Sequence, residues 1–187
     1  VTADAATAVA GIAPDRIRVV PEGVSRAFHE ATATSTVLER HGIVAVTSLL
    51  AVGGTAPRKN LGTVVEALRR LPPSAESPEL LVVGPPGPED DAVAAALGPR
   101  VRLAGFVPDD ELPALLAGAR ALVHPSRDEG FGLVPVEAMA AGAPVLAGEA
   151  EAVIEVTAGA ASVLPDDPDA WAAAIDRLGT DAAWRAD

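Results

Sequence analysis

The sequence predicts a doubly wound α/β fold, a parallel sheet with helices on both faces, and three observations predict it. Short Val-, Leu- and Ile-rich runs alternate with Ala-, Leu- and Arg-containing stretches of helical period. The apolar runs lack the polar alternation of a half-solvated strand, so they suit a sheet buried on both faces. Strand-then-helix repetition implies right-handed crossovers between parallel strands. The predicted strands are Ile17–Val20, Ser48–Gly53, Leu80–Gly84, Val101–Leu103, Ala121–His124, Pro144–Ala147 and Ser162–Leu164. The predicted helices are Leu61–Leu71, Asp90–Leu97, Asp110–Ala117, Gly132–Ala141 and Pro168–Leu178.

Punctuation supports each boundary. Asn60 stands where an N-cap belongs, and Pro72-Pro73 stops the helix that follows. Gly142 occupies a C′ position with Pro144 beyond it. Asp167-Pro168 opens the last helix, which makes Asp167-Pro168-Asp169 a cap rather than a metal motif. Ser74–Pro78 and Gly84–Pro88 read as surface turns, and the Ala/Thr-rich first ten residues read as a segment prone to fray.

Composition narrows the function. The 187 residues are 49% hydrophobic, with 14 basic against 26 acidic side chains and a net charge of −12, which excludes a nucleic-acid surface built on clustered Lys and Arg. With no cysteine there is neither a disulfide nor a thiolate metal site. No apolar run is long enough to span a membrane, and the expectation is one cytoplasmic domain. Of the basic residues only Lys59 is a lysine, a bias of a GC-rich genome in which a compact ammonium at that point is notable.

In an open parallel sheet, ligands bind beyond the carboxyl ends of the strands. Four strand exits are unusual. The first is Gly53-Gly54-Thr55-Ala56-Pro57-Arg58-Lys59-Asn60. Its glycines admit a ligand to the backbone, and two cations at a helix start oppose the macrodipole. That placement fits either an anion site or an exposed basic turn. The second exit, Pro125 to Glu137, sets Gly130 and Gly132 around Phe131 and separates Glu129 from Glu137 by seven residues. Backbone amides there can face an anion while the glutamates accept sugar hydroxyls. The same two acids also fit simple electrostatic support of a helix start, or the carboxyl pair of a glycoside hydrolase. The third exit is Gly105-Phe106-Val107-Pro108-Asp109-Asp110-Glu111, an apolar turn able to take a base ring or simply a helix start capped by Asp109; the fourth is Pro21-Glu22-Gly23-Val24-Ser25. No G-x-S-x-G elbow or Walker-type loop occurs.

Four segments in this order resemble the donor-binding, C-terminal half of GT-B-fold glycosyltransferases of family 4, the group 1 transferases. They are Pro21-Glu22-Gly23-Val24, Val52–Asn60 with its Pro-Arg-Lys-Asn, Gly105-Phe106-Val107, and His124–Val145 with its two glutamates. The resemblance runs from about Arg16 to Leu178. It implies retaining transfer of a sugar from a nucleotide diphosphate donor, with no metal or other cofactor. On the matching positions, Lys59 and Arg58 would neutralise the diphosphate and Glu129 would hold donor-sugar hydroxyls. Gly53, Gly54, Gly130 and the amides of Phe131, Gly132 and Leu133 would face sugar or phosphate. Glu137 would bind the ribose and Val107 the base. Many members carry an Arg where this chain has Gly54, leaving Arg58 to supply that charge. The loop leans by analogy to GDP-mannose, with UDP- and dTDP-sugars open. The resemblance also implies a partner that this chain lacks, an N-terminal acceptor domain, so the expectation is an inactive fragment. A histidine near the reacting centre belongs to that half, so His29, His41 and His124 are assigned no catalytic part. A non-catalytic nucleotide-binding module is the alternative.

Overall fold

The computed structural model describes residues 2–43, 47–72, 77–85, 95–181 and 183–184. Six parallel strands form one sheet: β1 (Leu49–Val52), β2 (Leu80–Val83), β3 (Val101–Gly105), β4 (Ala121–His124), β5 (Val145–Ala147) and β6 (Ser162–Val163), in the spatial order β3-β2-β1-β4-β5-β6. The order reverses between β1 and β4, which are direct neighbours in parallel register, Leu49 beside Ala121 and Leu50 beside Leu122. That reversal opens a crevice at the carboxyl ends of these two strands.

Eight helices surround the sheet among the described residues: α1 (Thr2–Ala10), α2 (Arg26–His29), α3 (Ser35–Arg40), α4 (Leu61–Arg70), α5 (Leu112–Gly118), α6 (Leu133–Ala140), α7 (Glu151–Thr157) and α8 (Pro168–Thr180). Strand alternation sorts the core into two layers. Leu49 and Ala51 of β1, Leu80 and Val82 of β2 and Val123 of β4 face Val64 and Leu68 of α4 and Trp171, Ile175 and Leu178 of α8. Leu50, Leu81, Val83 and Leu122 point the other way, onto Leu115 and Leu116 of α5, Ala138 of α6 and Val153 of α7. Trp171, Ile175 and Leu178 recur every three to four residues, so α8 turns one continuous stripe to the sheet. Full burial of each such side chain stabilises by roughly 1.5–3 kcal/mol. The Trp171 indole nitrogen donates to Pro165 O at 2.9 Å, so its polar atom is satisfied.

Most boundaries follow the sequence signals. Helix α6 ends in a Schellman motif, with Gly142 N–H on Met139 O at 3.0 Å and Ala143 N–H on Ala138 O at 2.9 Å. Asp167 caps α8 by accepting from Asp169 N–H at 3.1 Å. Several expectations need correction. Ile17–Val20 is not a strand: it runs as irregular chain outside the sheet, with Val19 69% and Val20 76% exposed. An apolar run reads as a strand only if a neighbour pairs with it, and here none does. Of the first ten residues, Thr2–Ala10 form α1, and α2, α3 and α7 carried no sequence expectation. In α7 the β-branched Val153, Ile154, Val156 and Thr157 lower helix propensity, and packing of Ala152, Val153 and Thr157 overrides it. Asn60 precedes α4 in a left-handed conformation (φ 51°), but its side chain does not cap the helix. Its amide Nδ2 donates to Asp166 Oδ1 at 2.9 Å instead. Asp109 caps nothing either, because α5 starts later, after Glu111. Of the expected helix Asp90–Leu97, residues 95–97 form a helical turn and 90–94 lie outside the described residues, as do 74–76 and 86–88 of the two expected turns.

Candidate functional site

The two central strands deliver the first two unusual exits to one place. After β1 the chain turns through Gly53 and a short helical turn, Pro57–Lys59, into α4; after β4 it runs through Glu129 to the start of α6. Arg127 N–H donates to Arg58 O at 3.0 Å and ties the two loops together.

Lys59 is 8% exposed, and its ammonium reaches Glu129 Oε1 at 2.7 Å. Arg58 Nη1 stands 3.4 Å from Glu129 Oε2, with its side chain largely in solvent. Gly53 makes room for this arrangement. A Cβ there would lie 2.8 Å from Lys59 Cε and 2.9 Å from Nζ, and its φ of 115° suits glycine alone. Behind the carboxylate, His124 Nε2 lies 3.1 Å from Glu129 Oε1 without an aligned hydrogen bond. Burial pushes the Glu129 carboxyl up, but His124, Lys59 and Ser126 around it and the ammonium charge win, holding it well below the usual carboxylate range.

The start of α6 faces the same space. Gly132 precedes the helix with φ 95° and brings no capping side chain, so the first amides of α6 have no N-cap side chain to bond. A Cβ on Gly132 would press to 3.2 Å from Val156 Cγ2, against α7. One cleft of about 1070 Å³ is lined by Lys59, His124, Glu129, Gly130, Phe131, Gly132 and Leu133. Its outer wall comes from Ile17 to Glu22, Val24 and α1, and its far side from Ala152, Glu155 and Val156 of α7. The fourth exit thus joins the site. The 17–20 segment, misread as a strand, supplies an apolar lip, for which its exposed valines are the signal in hindsight.

Other expected residues stand apart from the cleft lining. Val107 is 5% exposed and packs in the core, so its side chain offers nothing to a ligand, whereas the adjacent Phe106 is 66% exposed. Glu137 is half-buried on α6, and burial together with the nearby Asp109 carboxylate pushes its pKa up. Gly54 follows Gly53 and lies 3.5 Å from Pro85 O, measured from its would-be Cβ. His29 is exposed on α2, and His41 Nε2 contacts Glu111 Oε2 at 2.5 Å, away from the cleft. His124 is different: sequence reasoning set it aside, yet it lies at the cleft floor. Beside the site, Asp166 accepts from Asn60, Thr63 Oγ1 at 2.5 Å and two of the Arg127 nitrogens, Nε at 3.1 Å and Nη2 at 2.8 Å. These bonds hold its carboxyl at about 2.

A family of known proteins, "Glycosyl transferases group 1", matches residues 46–181. O-antigen chain mannosyltransferase B of Escherichia coli is 36% identical over 156 residues, which make up 80% of this chain and 41% of that one. Lipopolysaccharide glucosyltransferase WaaG of Escherichia coli K12 is 35% identical over 140 residues, 71% of this chain and 37% of that one. The crystal structure of WaaG, a glycosyltransferase involved in lipopolysaccharide biosynthesis, superposes with a TM-score of 0.78 at 28% identity, covering 94% of this chain and 50% of that one. The chain therefore spans half or less of the length of these proteins. Among the described residues no helix is long and apolar enough to cross a membrane.

Proposed function

The chain belongs to the group 1 glycosyltransferases, and from that premise we propose that its cleft binds a nucleotide diphosphate sugar as the donor-binding half of a retaining enzyme. The observation that carries this reading is the meeting of Lys59, Glu129 and the uncapped start of α6 on one cleft, at the point where the strand order reverses. A diphosphate is the ligand such a place suits. Free backbone amides at a helix start and a recessed ammonium both favour negative charge, and water is partly excluded around them. As the bond from sugar to phosphate breaks, charge grows on the departing diphosphate. Preorganised cations and dipoles then stabilise that charge more than the ground state. Lys59 and Arg58 supply the cations, so no metal is invoked for the leaving group.

Glu129 stays ionised in this setting and accepts hydroxyls of the donor sugar. Glu137 lies behind it on α6, facing the turn after β3, in a position suited to the ribose. With Val107 sunk in the core, base contact falls to the backbone of that turn and to the exposed ring of Phe106. The donor we favour is GDP-mannose, with UDP- and dTDP-sugars as alternatives; the relatives include both a mannosyltransferase and a glucosyltransferase. The acceptor site is assigned to an N-terminal domain outside this chain, in a cytoplasmic enzyme, and the chain by itself is expected to bind donor without transferring it. Calorimetry with GDP, UDP and dTDP tests the reading: one of them binds, and its nucleoside binds far more weakly. Absence of binding by all three at millimolar concentration would overturn it.

A further inference from the structure

His124 ends β4 with its imidazole 3% exposed, yet Nε2 has no aligned hydrogen-bond partner among the described residues. Buried polar atoms are rarely left this way in a folded core. Glu129 Oε1 lies 3.1 Å away, the same oxygen that the Lys59 ammonium holds at 2.7 Å. Lys59 cannot serve two anions equally. If it turns to a diphosphate, as the reading of the cleft requires, Glu129 gives up its closest cation while its side chain remains only 13% exposed. A carboxylate so enclosed needs another donor to stay ionised and in place.

We propose that His124 is a positioning residue for Glu129, its Nε2–H taking over Oε1 when Lys59 engages the diphosphate, so that the carboxylate remains aimed at the donor sugar. This rests on the cleft being a nucleotide-sugar site. It differs from an ordinary buried strand-end histidine in one measurable respect. A structural histidine would support every ligand alike, whereas a histidine acting through Glu129 supports the sugar and leaves the nucleotide untouched.

The test compares GDP with GDP-mannose and UDP with UDP-glucose by calorimetry on the full chain, reading the gain in affinity that the sugar brings. H124F keeps the ring volume and removes both nitrogens; H124Q places an amide donor near the position of Nε2. The expected result is that H124F binds the nucleotide as wild type does and loses the sugar's gain by about tenfold or more, the loss of a charge-assisted hydrogen bond. H124Q should keep most of that gain. If H124F does not fold, H124N, whose amide is too short to reach Oε1, takes its place. Equal weakening of nucleotide and nucleotide sugar, an undiminished sugar gain in H124F, or no sugar gain in wild type overturns the proposal while nucleotide binding still stands. Failure of wild type to bind GDP or UDP removes the reading of the cleft, and the proposal with it.

Discussion

Glu129 and Glu137 have seven residues between them in sequence, are comparably enclosed, and shift in opposite directions. Glu129, in the loop after β4, is pushed up by burial but held far below the ordinary carboxylate range by His124, Lys59 and Ser126. Glu137, inside α6, is pushed up by burial and by another carboxylate, Asp109. Burial pushes both carboxyls up; at Glu129 its partners outweigh that push, and at Glu137 the Asp109 charge adds to it. The first glutamate was given its cation by a neighbouring strand, since β1 and β4 lie side by side and deliver Lys59 and Glu129 to the same crevice. The second has the Asp109 carboxylate of the turn after β3 beside it, which adds to the effect of burial.

The largest effect should come from removing that cation. Lys59→Ala is expected to weaken diphosphate binding by about 10- to 100-fold, corresponding to ~1.5–3 kcal/mol for a charge-assisted contact, with a much smaller effect on nucleoside binding. Calorimetry with GDP and guanosine reads both, and equal losses would erase the distinction between the two glutamates' surroundings. Gly53→Ala should act next. A methyl group 2.8 Å from Lys59 Cε, on a backbone with φ 115°, lowers stability by ~1–3 kcal/mol and displaces the ammonium, so thermal melting and diphosphate affinity fall together.

Acid titration of stability sharpens the contrast through its sign. Glu129 has a depressed pKa in the folded state, so its contribution is present above the unfolded value near 4.5 and disappears as pH falls below it. Glu129→Gln should therefore be less stable than wild type at pH 7, with the gap closing on acidification. Glu137 has a raised pKa, so its charge costs stability as pH rises past the unfolded value. Glu137→Gln should be the more stable protein at pH 7, again with convergence below about 4.5. Denaturant melts between pH 3 and 7 check both, and gaps of the same sign would break the comparison. The smallest effect is expected at Asp166. Its side chain is 45% exposed, so despite its network Asp166→Ala should cost only ~0.5–1 kcal/mol, measured by the same melts at pH 7.

Much of this was legible in the sequence because the chemistry sits on local signals. Gly53, Lys59, Glu129 and Gly132 stand at strand exits, and unbroken apolar runs located the strands that carry them. That the first two exits meet was implied only by the family resemblance, since the residues alone do not show β1 and β4 to be neighbours. Ile17–Val20 misled because its pattern matches a buried strand and only a missing partner distinguishes it. At Val107 the pattern left open whether the side chain faces outward or the core: it packs inward, and Phe106 takes the outside. His124 gave no signal of its own, because its meaning comes from an oxygen that another strand's lysine also holds.

The central claim is that the Lys59 ammonium and the amides opening α6 grip one diphosphate. Titrating the ¹⁵N-labelled chain with GDP or UDP and following amide shifts tests it directly. The largest changes are expected at residues 53–60 and 130–133, saturating together with a single dissociation constant. Changes confined to one of those loops, or centred on the opposite ends of the strands, would contradict it.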